Sequence, residues 1–128
     1  MGLDHGITLF KNDREFEEIE GIDWRKCNHF RKWFADHAEG FVDNGTTIIT
    51  RGLLVEFLDT LKEVNEDNSK ASELLPSSSG FFFGSTEYDW YYFHTIEEGI
   101  EDIEGLLNDW SEETLKANNM TFAYWEWY

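Results

Sequence analysis

The segment MTFAYWEWY (residues 120–128) gives the clearest indication of how this chain folds. Its aromatic side chains fall on both alternating sets of positions, with Phe122, Tyr124 and Tyr128 on one and Trp125 and Trp127 on the other. Successive side chains of a β-strand point to opposite faces of the sheet. Bulky apolar groups on both sets are typical of a strand that is covered on both sides. We therefore predict a buried strand here.

The opening segment, MGLDHGITLF (residues 1–10), forms a second strand candidate. Leu3, Ile7 and Leu9 share one parity, whereas the other parity carries glycine, aspartate and threonine. This alternation is typical of a half-buried strand. We expect the two terminal segments to pair in one sheet.

Three helical patterns lie between these segments. Asp23 can cap a helix over about residues 24–38, and a second amphipathic helix follows Thr50. Thr95 and Glu98 have the spacing of a capping box, which predicts that the third helix begins at Thr95.

The order of these elements predicts the fold class. An Asn-Gly turn signal precedes TTIIT (residues 46–50), which indicates one more short strand. We therefore predict an α+β fold, in which a small, mostly antiparallel sheet that includes both chain termini packs against about three helices. At 128 residues and 15.1 kDa, the chain has the size of a single domain, residues 1–128.

The charge of the chain argues against several function classes. Asp and Glu number 27 against 10 Lys and Arg, so that the net charge is −17. Such a surface repels phosphate backbones and anionic lipid, which argues against direct nucleic-acid binding and against a membrane-surface role. The single cysteine, Cys27, cannot form an intramolecular disulfide, so we expect a reducing compartment, the cytoplasm.

The acidic residues concentrate on the third helix. No Lys or Arg occurs from Ala71 to Leu115, whereas that stretch holds eleven acids. Five of these form a candidate partner-binding face, namely Glu97, Glu98, Glu101, Asp102 and Glu104. One interpretation is a solvated face that keeps the protein soluble. The other is a surface that presents spaced negative charge to a basic, nucleic-acid-binding protein.

An alternative interpretation places a small ligand beside the first helix. The segment WRKCNHFRKWF (residues 24–34) mixes aromatic and cationic side chains, and a polar turn, GSTEYD (residues 84–89), follows three phenylalanines. Together they would form a pocket for an anionic, nucleotide-like ligand. Its candidate residues are Trp24, Arg25, Asn28, Lys32, Ser85, Thr86, Glu87 and Asp89. In the structural alternative, the cations form surface ion pairs, and a buried aromatic strand at residues 81–83 leads into a turn that caps the next helix.

Signals of catalysis and of metal binding are weak. Neither a Gly-rich phosphate loop nor zinc spacing occurs, and the four histidines are scattered. An enzyme that uses Glu87 or Asp89 with Arg25 is the weakest hypothesis, because no nucleophile–base pair is legible. We therefore predict no catalytic residue, no metal ligand and no cofactor.

Several blocks resemble a family of small proteins encoded by phages and prophages, to which no activity is assigned. They are the opening MGLD, the block WRKxNxxxKWF (residues 24–34) and the block LLPxxSGFFFGSTEYDxYY (residues 74–92). The likeness extends from residue 1 to about residue 107, and it implies a host-cell cytoplasm as the compartment. We therefore predict a non-enzymatic accessory protein that binds and inhibits a basic host protein, a defence or nucleic-acid-handling factor, through an acidic and aromatic surface, as a DNA mimic. The sequence does not indicate an oligomeric state.

Overall fold

The computed structural model describes residues 2–13, 17–80 and 84–128. Four strands form one antiparallel sheet in the order β2-β1-β4-β3. They are β1 (Asp4–Lys11), β2 (Glu18–Arg25), β3 (Thr46–Ile49) and β4 (Met120–Trp127). The two terminal strands, β1 and β4, are neighbours at the centre of this sheet. The predicted α+β fold, with a sheet that includes both chain termini, is thus confirmed.

Five α-helices occur in the described ranges, which corrects the prediction of about three. They are α1 (Asn28–His37), α2 (Arg51–Glu66), α3 (Ala71–Leu74), α4 (Trp90–Asp109) and α5 (Glu112–Asn118). The two additional helices, α3 and α5, span only 4 and 7 residues, too few for an apolar period to be recognised. Among the described helices, none is long and apolar enough to cross a bilayer.

The first helix begins later than the sequence predicts. Asp23 does not cap it, because β2 continues to Arg25 and pairs with β1. The chain then turns through two left-handed residues, Lys26 (φ 65°) and Cys27 (φ 39°). Helix α1 follows at Asn28 without a side-chain cap. The pairing of β2, which sequence periodicity did not indicate, therefore sets where α1 begins.

Helix α4 begins at Trp90, one turn before the predicted Thr95. Asp89 caps it, since its Oδ1 accepts a hydrogen bond from the backbone N–H of Tyr92 at 3.1 Å. Thr95 is buried inside the helix, where its hydroxyl donates to the Tyr92 carbonyl oxygen at 2.6 Å and lies 2.8 Å from Nε2 of His29. The Thr95 hydroxyl therefore joins α4 to α1 and does not cap the start of a helix, so the predicted capping box is wrong.

An aromatic core joins the helices to one face of the sheet. Phe34 of α1 stacks on Tyr124 of β4, with ring centroids 4.7 Å apart and an interplanar angle of 17°. Phe57 of α2 contacts both Phe30 and Phe34, at centroid distances of 5.2 and 4.8 Å. Offset and edge-on ring pairs contribute about 0.5–1.5 kcal/mol each beyond the burial of apolar area. This core holds α1 and α2 against β4.

The opposite face of the sheet, which we call the outer face, is open. It is formed by every second residue of the strands, namely Asp4, Gly6, Thr8, Gly21, Asp23, Arg25, Thr46, Ile48, Ala123, Trp125 and Trp127. Trp127 is 67% exposed and Ile48 is 62% exposed. The prediction that β4 is covered on both sides is therefore wrong, because the core packs against the face of Phe122 and Tyr124.

Candidate functional site

The exposed side of α4 brings the predicted acidic residues together with aromatic ones. At 3.6 residues per turn, these side chains fall within an arc of about 160° around the helix. We call this surface the acidic ridge, defined by Trp90, Tyr91, His94, Glu97, Glu98, Glu101, Asp102 and Glu104. Trp90 is 75% exposed and Tyr91 is 51% exposed, whereas the opposite side of the helix is buried. The five candidate partner-binding acids thus lie on one surface.

The aromatic end of the acidic ridge is connected to its carboxylates by a row of contacts. The rings of Trp90 and His94 stack with centroids 5.0 Å apart and an interplanar angle of 8°. Nε2 of His94 lies 2.8 Å from Oε1 of Glu98, one turn further along. This row gives the ridge a defined shape at its N-terminal end.

The carboxylates of the acidic ridge are poorly neutralised. Glu104 forms an ion pair with Lys62 at 3.1 Å, and this pair is about half exposed. The pKa of Asp102 is raised above its usual range by partial burial and by the charges of Glu101 and Glu98. Burial is the larger cause of this shift and the neighbouring like charges add to it, so the surroundings of Asp102 oppose its negative charge.

The density of charge on the acidic ridge approaches that of DNA. Residues 97–104 contain five acids and span about 10 Å of helix axis at about 1.5 Å per residue. The ridge therefore carries one carboxylate per about 2 Å, whereas duplex DNA carries one charge per about 1.7 Å of its axis. A protein surface built for DNA phosphates meets a comparable charge here.

The cations of residues 25–32 do not form a positive strip. Arg25 lies on β2 at the outer face, and Lys32 pairs with Asp36 at 2.7 Å. Arg31 contacts the carboxylates of Glu126 at 3.0 Å and Asp43 at 2.7 Å. Arg25 and Lys32 do not share a helical face, because Arg25 belongs to β2 and α1 begins only at residue 28.

Four of the eight candidate ligand-binding residues do meet at a cavity of about 210 Å³. This cavity lies between the start of α1 and the turn of residues 84–89, and it is lined by Lys26, Cys27, Asn28, His29, Ser85, Glu87, Asp89, Tyr91 and Tyr92. Trp24, Arg25, Lys32 and Thr86 are not part of its lining. Trp24 instead packs in the aromatic core, 5.0 Å from Phe30 between ring centroids.

Most polar groups at this cavity form hydrogen bonds within the protein. Asn28 donates from Nδ2 to the Ser85 carbonyl oxygen at 2.8 Å, and its Oδ1 accepts from the Ser78 N–H at 2.8 Å. Asp89 caps α4, which agrees with the structural alternative for this turn. The phenylalanines 81–83, predicted in that alternative to form a buried strand, lie outside the described residues.

The charges at this cavity do not suit an anionic ligand. Lys26 is opposed by the two carboxylates of Glu87 and Asp89. Burial lowers the pKa of His29 to about 3 and raises the pKa of the Cys27 thiol to about 12, so both side chains are neutral at pH 7. The lining is therefore net negative, and the thiol is not an activated nucleophile.

A buried polar network under α1 was not indicated by the sequence. Glu126 of β4 has no exposed side-chain area, and its carboxylate receives Arg31 from one side and the N–H of Asn44, at 2.7 Å, from the other. The Tyr124 hydroxyl lies 3.1 Å from Oε1 of Glu126 and 2.8 Å from Nδ1 of His5. The alternation of β4 places Glu126 on the core side, which is the one signal that distinguishes it among 27 acids.

Comparisons with known proteins do not assign this chain to a family. It matches no protein-family model, and neither the curated proteins nor the solved structures gave a significant match. In the described part of the chain, no group of three or more His, Cys, Asp or Glu is placed to hold a metal ion.

Proposed function

We propose that this protein is a small accessory protein of phage type that binds a basic host protein through the acidic ridge and inhibits it. The target class is a defence or nucleic-acid-handling protein, whose cationic surface the ridge occupies as a DNA mimic. The charge density on α4 carries this proposal, because five carboxylates within about 10 Å of helix axis approach the axial charge density of a duplex.

Two features of the ridge support recognition over simple solubility. Its acids lie next to one another, at i, i+3 and i, i+4 spacing, whereas a surface needed only for solubility has charges of both signs interspersed. Exposed aromatic side chains, Trp90 and Tyr91, adjoin the carboxylates. Aromatic anchors beside complementary charges are typical of the centre of protein interfaces.

A charge-reversal experiment tests this proposal. The variant Glu97→Lys/Glu101→Lys/Asp102→Lys reverses the ridge, and Glu56→Lys/Asp59→Lys/Glu66→Lys is its matched control on exposed positions of α2. Both variants raise the net charge from −17 to −11. Each protein is immobilised and exposed to a bacterial lysate at about 0.1 M and about 1 M salt, between which the Debye length falls from about 10 to about 3 Å.

We expect wild type and the α2 control to retain the same basic protein at low salt and to release it at high salt. The ridge variant should not retain it, and added duplex DNA should displace it from wild type. Equal capture by the ridge variant would contradict a role for the ridge. Failure of DNA to compete would contradict the mimicry.

A further inference from the structure

The outer face presents two tryptophans on the side of the sheet away from α4. Trp125 and Trp127 occupy alternate positions of β4, and so they lie on the same face. Trp127 is 67% exposed, and the aliphatic side chain of Ile48 on β3 is exposed to 62%. Exposed large apolar groups that lie together on a sheet are typical of an interaction site.

A groove runs across the strands beside these tryptophans. It consists of a concavity of about 470 Å³, lined by Asp4, Asp23, Trp24, Arg25, Trp125 and Trp127, and one of about 240 Å³, lined by Thr8, Glu18, Asp23, Thr46 and Trp125. The two share Asp23 and Trp125, and Gly6 stands between these residues in the strand register. Gly6 is packed against the β2 backbone, since a Cβ there would lie 1.8 Å from the Ile22 carbonyl oxygen. The larger concavity has the volume of a ligand site.

The charge of this groove is negative. Asp4, Glu18 and Asp23 are exposed, and no ion pair holds any of them within residues 2–13, 17–80 and 84–128. Arg25 is the one cation among the lining residues. The groove therefore combines indole rings with three carboxylates against one guanidinium.

We propose that the outer face binds an arginine-containing peptide segment of a protein partner. A guanidinium is planar, stacks on indole faces and donates paired hydrogen bonds to carboxylates, so that it uses both features of the groove. An ammonium is more strongly hydrated and forms no such planar stack, so lysine binds less well. This site is separate from the acidic ridge, and peptide binding here does not depend on whether the ridge binds a host protein.

The test uses a short peptide that alternates arginine with glycine, and matched peptides in which lysine or glutamate replaces the arginine. Binding is followed by the indole N–H signals of ¹⁵N-labelled full-length protein. The ridge-reversed variant Glu97→Lys/Glu101→Lys/Asp102→Lys serves as a background in which binding to α4 is removed. Two variants probe the groove: Trp127→Leu keeps apolar area but removes the π face, and Asp4→Asn removes one charge. Val42→Ala, at an exposed apolar residue that belongs neither to the outer face nor to the acidic ridge, is the control.

We expect the arginine peptide to shift the Trp125 and Trp127 signals saturably in both wild type and the ridge-reversed background. Trp127→Leu should weaken this binding about 10-fold, Asp4→Asn should weaken it less, and Val42→Ala should leave it unchanged. The lysine peptide should bind more weakly, and the glutamate peptide should not bind.

Three results would overturn the proposal. In the first, the two indole signals do not move. In the second, arginine and lysine peptides bind equally and Trp127→Leu has no effect on binding. The peptides would then bind by general electrostatic attraction and not by stacking on the indole rings. In the third, sedimentation shows that the protein is a dimer that Trp127→Leu dissociates, which assigns the outer face to a second copy of this chain.

Discussion

Replacing Glu126 with glutamine tests whether the buried network fastens the last strand to α1. The substitution keeps the shape of the side chain but removes the charge that faces Arg31, at 3.0 Å from Nε and 3.1 Å from Nη2. The new amide oxygen can still accept a hydrogen bond from the Asn44 N–H, so this backbone donor keeps its partner. The amide NH₂ then replaces Oε1, which faces Arg31 Nε and accepts from the Tyr124 hydroxyl, so the loss reports on the ion pair together with these contacts.

The expected cost follows from burial. Removing one partner of a buried ion pair costs about 3–5 kcal/mol, because the remaining charge is left without compensation. Arg31 keeps a second carboxylate, Asp43, at 2.7 Å, which places the expected loss at the lower end, about 3 kcal/mol. With an m-value of about 2 kcal/mol/M, the urea midpoint should fall by about 1.5 M.

Asp43→Asn provides the matched control, since it removes a charge from the same arginine. The Asp43 side chain is 70% exposed, and exposed pairs contribute about 0–1 kcal/mol. Urea unfolding of the three proteins is followed by circular dichroism, with equal m-values as the condition for comparison. If Glu126→Gln costs no more than Asp43→Asn, the buried pair does not stabilise the fold and the reasoning fails.

Two further predictions concern α4 and the buried histidines. Gly105→Ala should stabilise the protein by about 1 kcal/mol, because nothing lies within 4 Å of the new methyl group. Gly99→Ala should destabilise it, because its methyl group would lie 3.0 Å from the Phe30 ring. Thermal unfolding of both variants measures the difference. The pKa of His29 is lowered to about 3 by burial, against about 6.5 in the unfolded chain, so the unfolded state binds more protons between these values. The free energy of unfolding should therefore fall as the pH falls from about 6.5 to about 3. His29 contributes up to about 1.4 kcal/mol per pH unit, and His5, whose pKa burial also lowers to about 3, contributes a similar amount. His29→Phe should remove about half of this combined slope in urea titrations at several pH values. An unchanged slope would mean that His29 is charged in the folded protein.

The sequence predicted the strands at both ends, the fold class and the acidic face of α4, because these features rest on local periodicity. It did not predict β2, whose glycine and acidic residues are poor strand formers and which is held by pairing with β1. Once β2 is placed, Asp23 cannot cap α1, and Arg25 cannot share a helical face with Lys32. The candidate ligand pocket therefore lacks Arg25, which β2 carries to the outer face, whereas Lys32 pairs with Asp36 on α1.

The burial of polar side chains was the second feature that the sequence did not predict. Thr95 has the residue type and spacing of a helix cap, yet it lies inside α4 because His29 of α1 needs an acceptor there. Glu126 is likewise one acid among many in the sequence, and only the partner helix that supplies Arg31 shows why it is buried. The alternation of β4 places Glu126 on the core side, but periodicity does not identify a partner as distant in the sequence as Arg31.

The acidic ridge should cost the protein stability, and this cost distinguishes recognition from solubility. Four like-charged pairs at i, i+3 or i, i+4 spacing involve Glu101 or Asp102, and each destabilises a helix by about 0.2–0.5 kcal/mol. Helix α4 tolerates them because its ends are fastened, by the Asp89 cap and by Arg51, which donates to the carbonyl oxygens of Leu107 and Trp110 at 2.8 Å.

Neutralising the centre of the ridge should therefore stabilise the fold while it removes binding. We expect Glu101→Gln/Asp102→Asn to raise the free energy of unfolding by about 1–2 kcal/mol at low salt, with most of the gain lost at about 1 M salt, where repulsion is screened. Urea titrations at both salt concentrations measure this, with Glu56→Gln/Asp59→Asn on α2 as control. A functional surface is commonly retained at the expense of stability. If the ridge variant gains nothing at low salt, the carboxylates do not repel one another in the folded protein, and the physical basis for a partner that relieves their repulsion is lost.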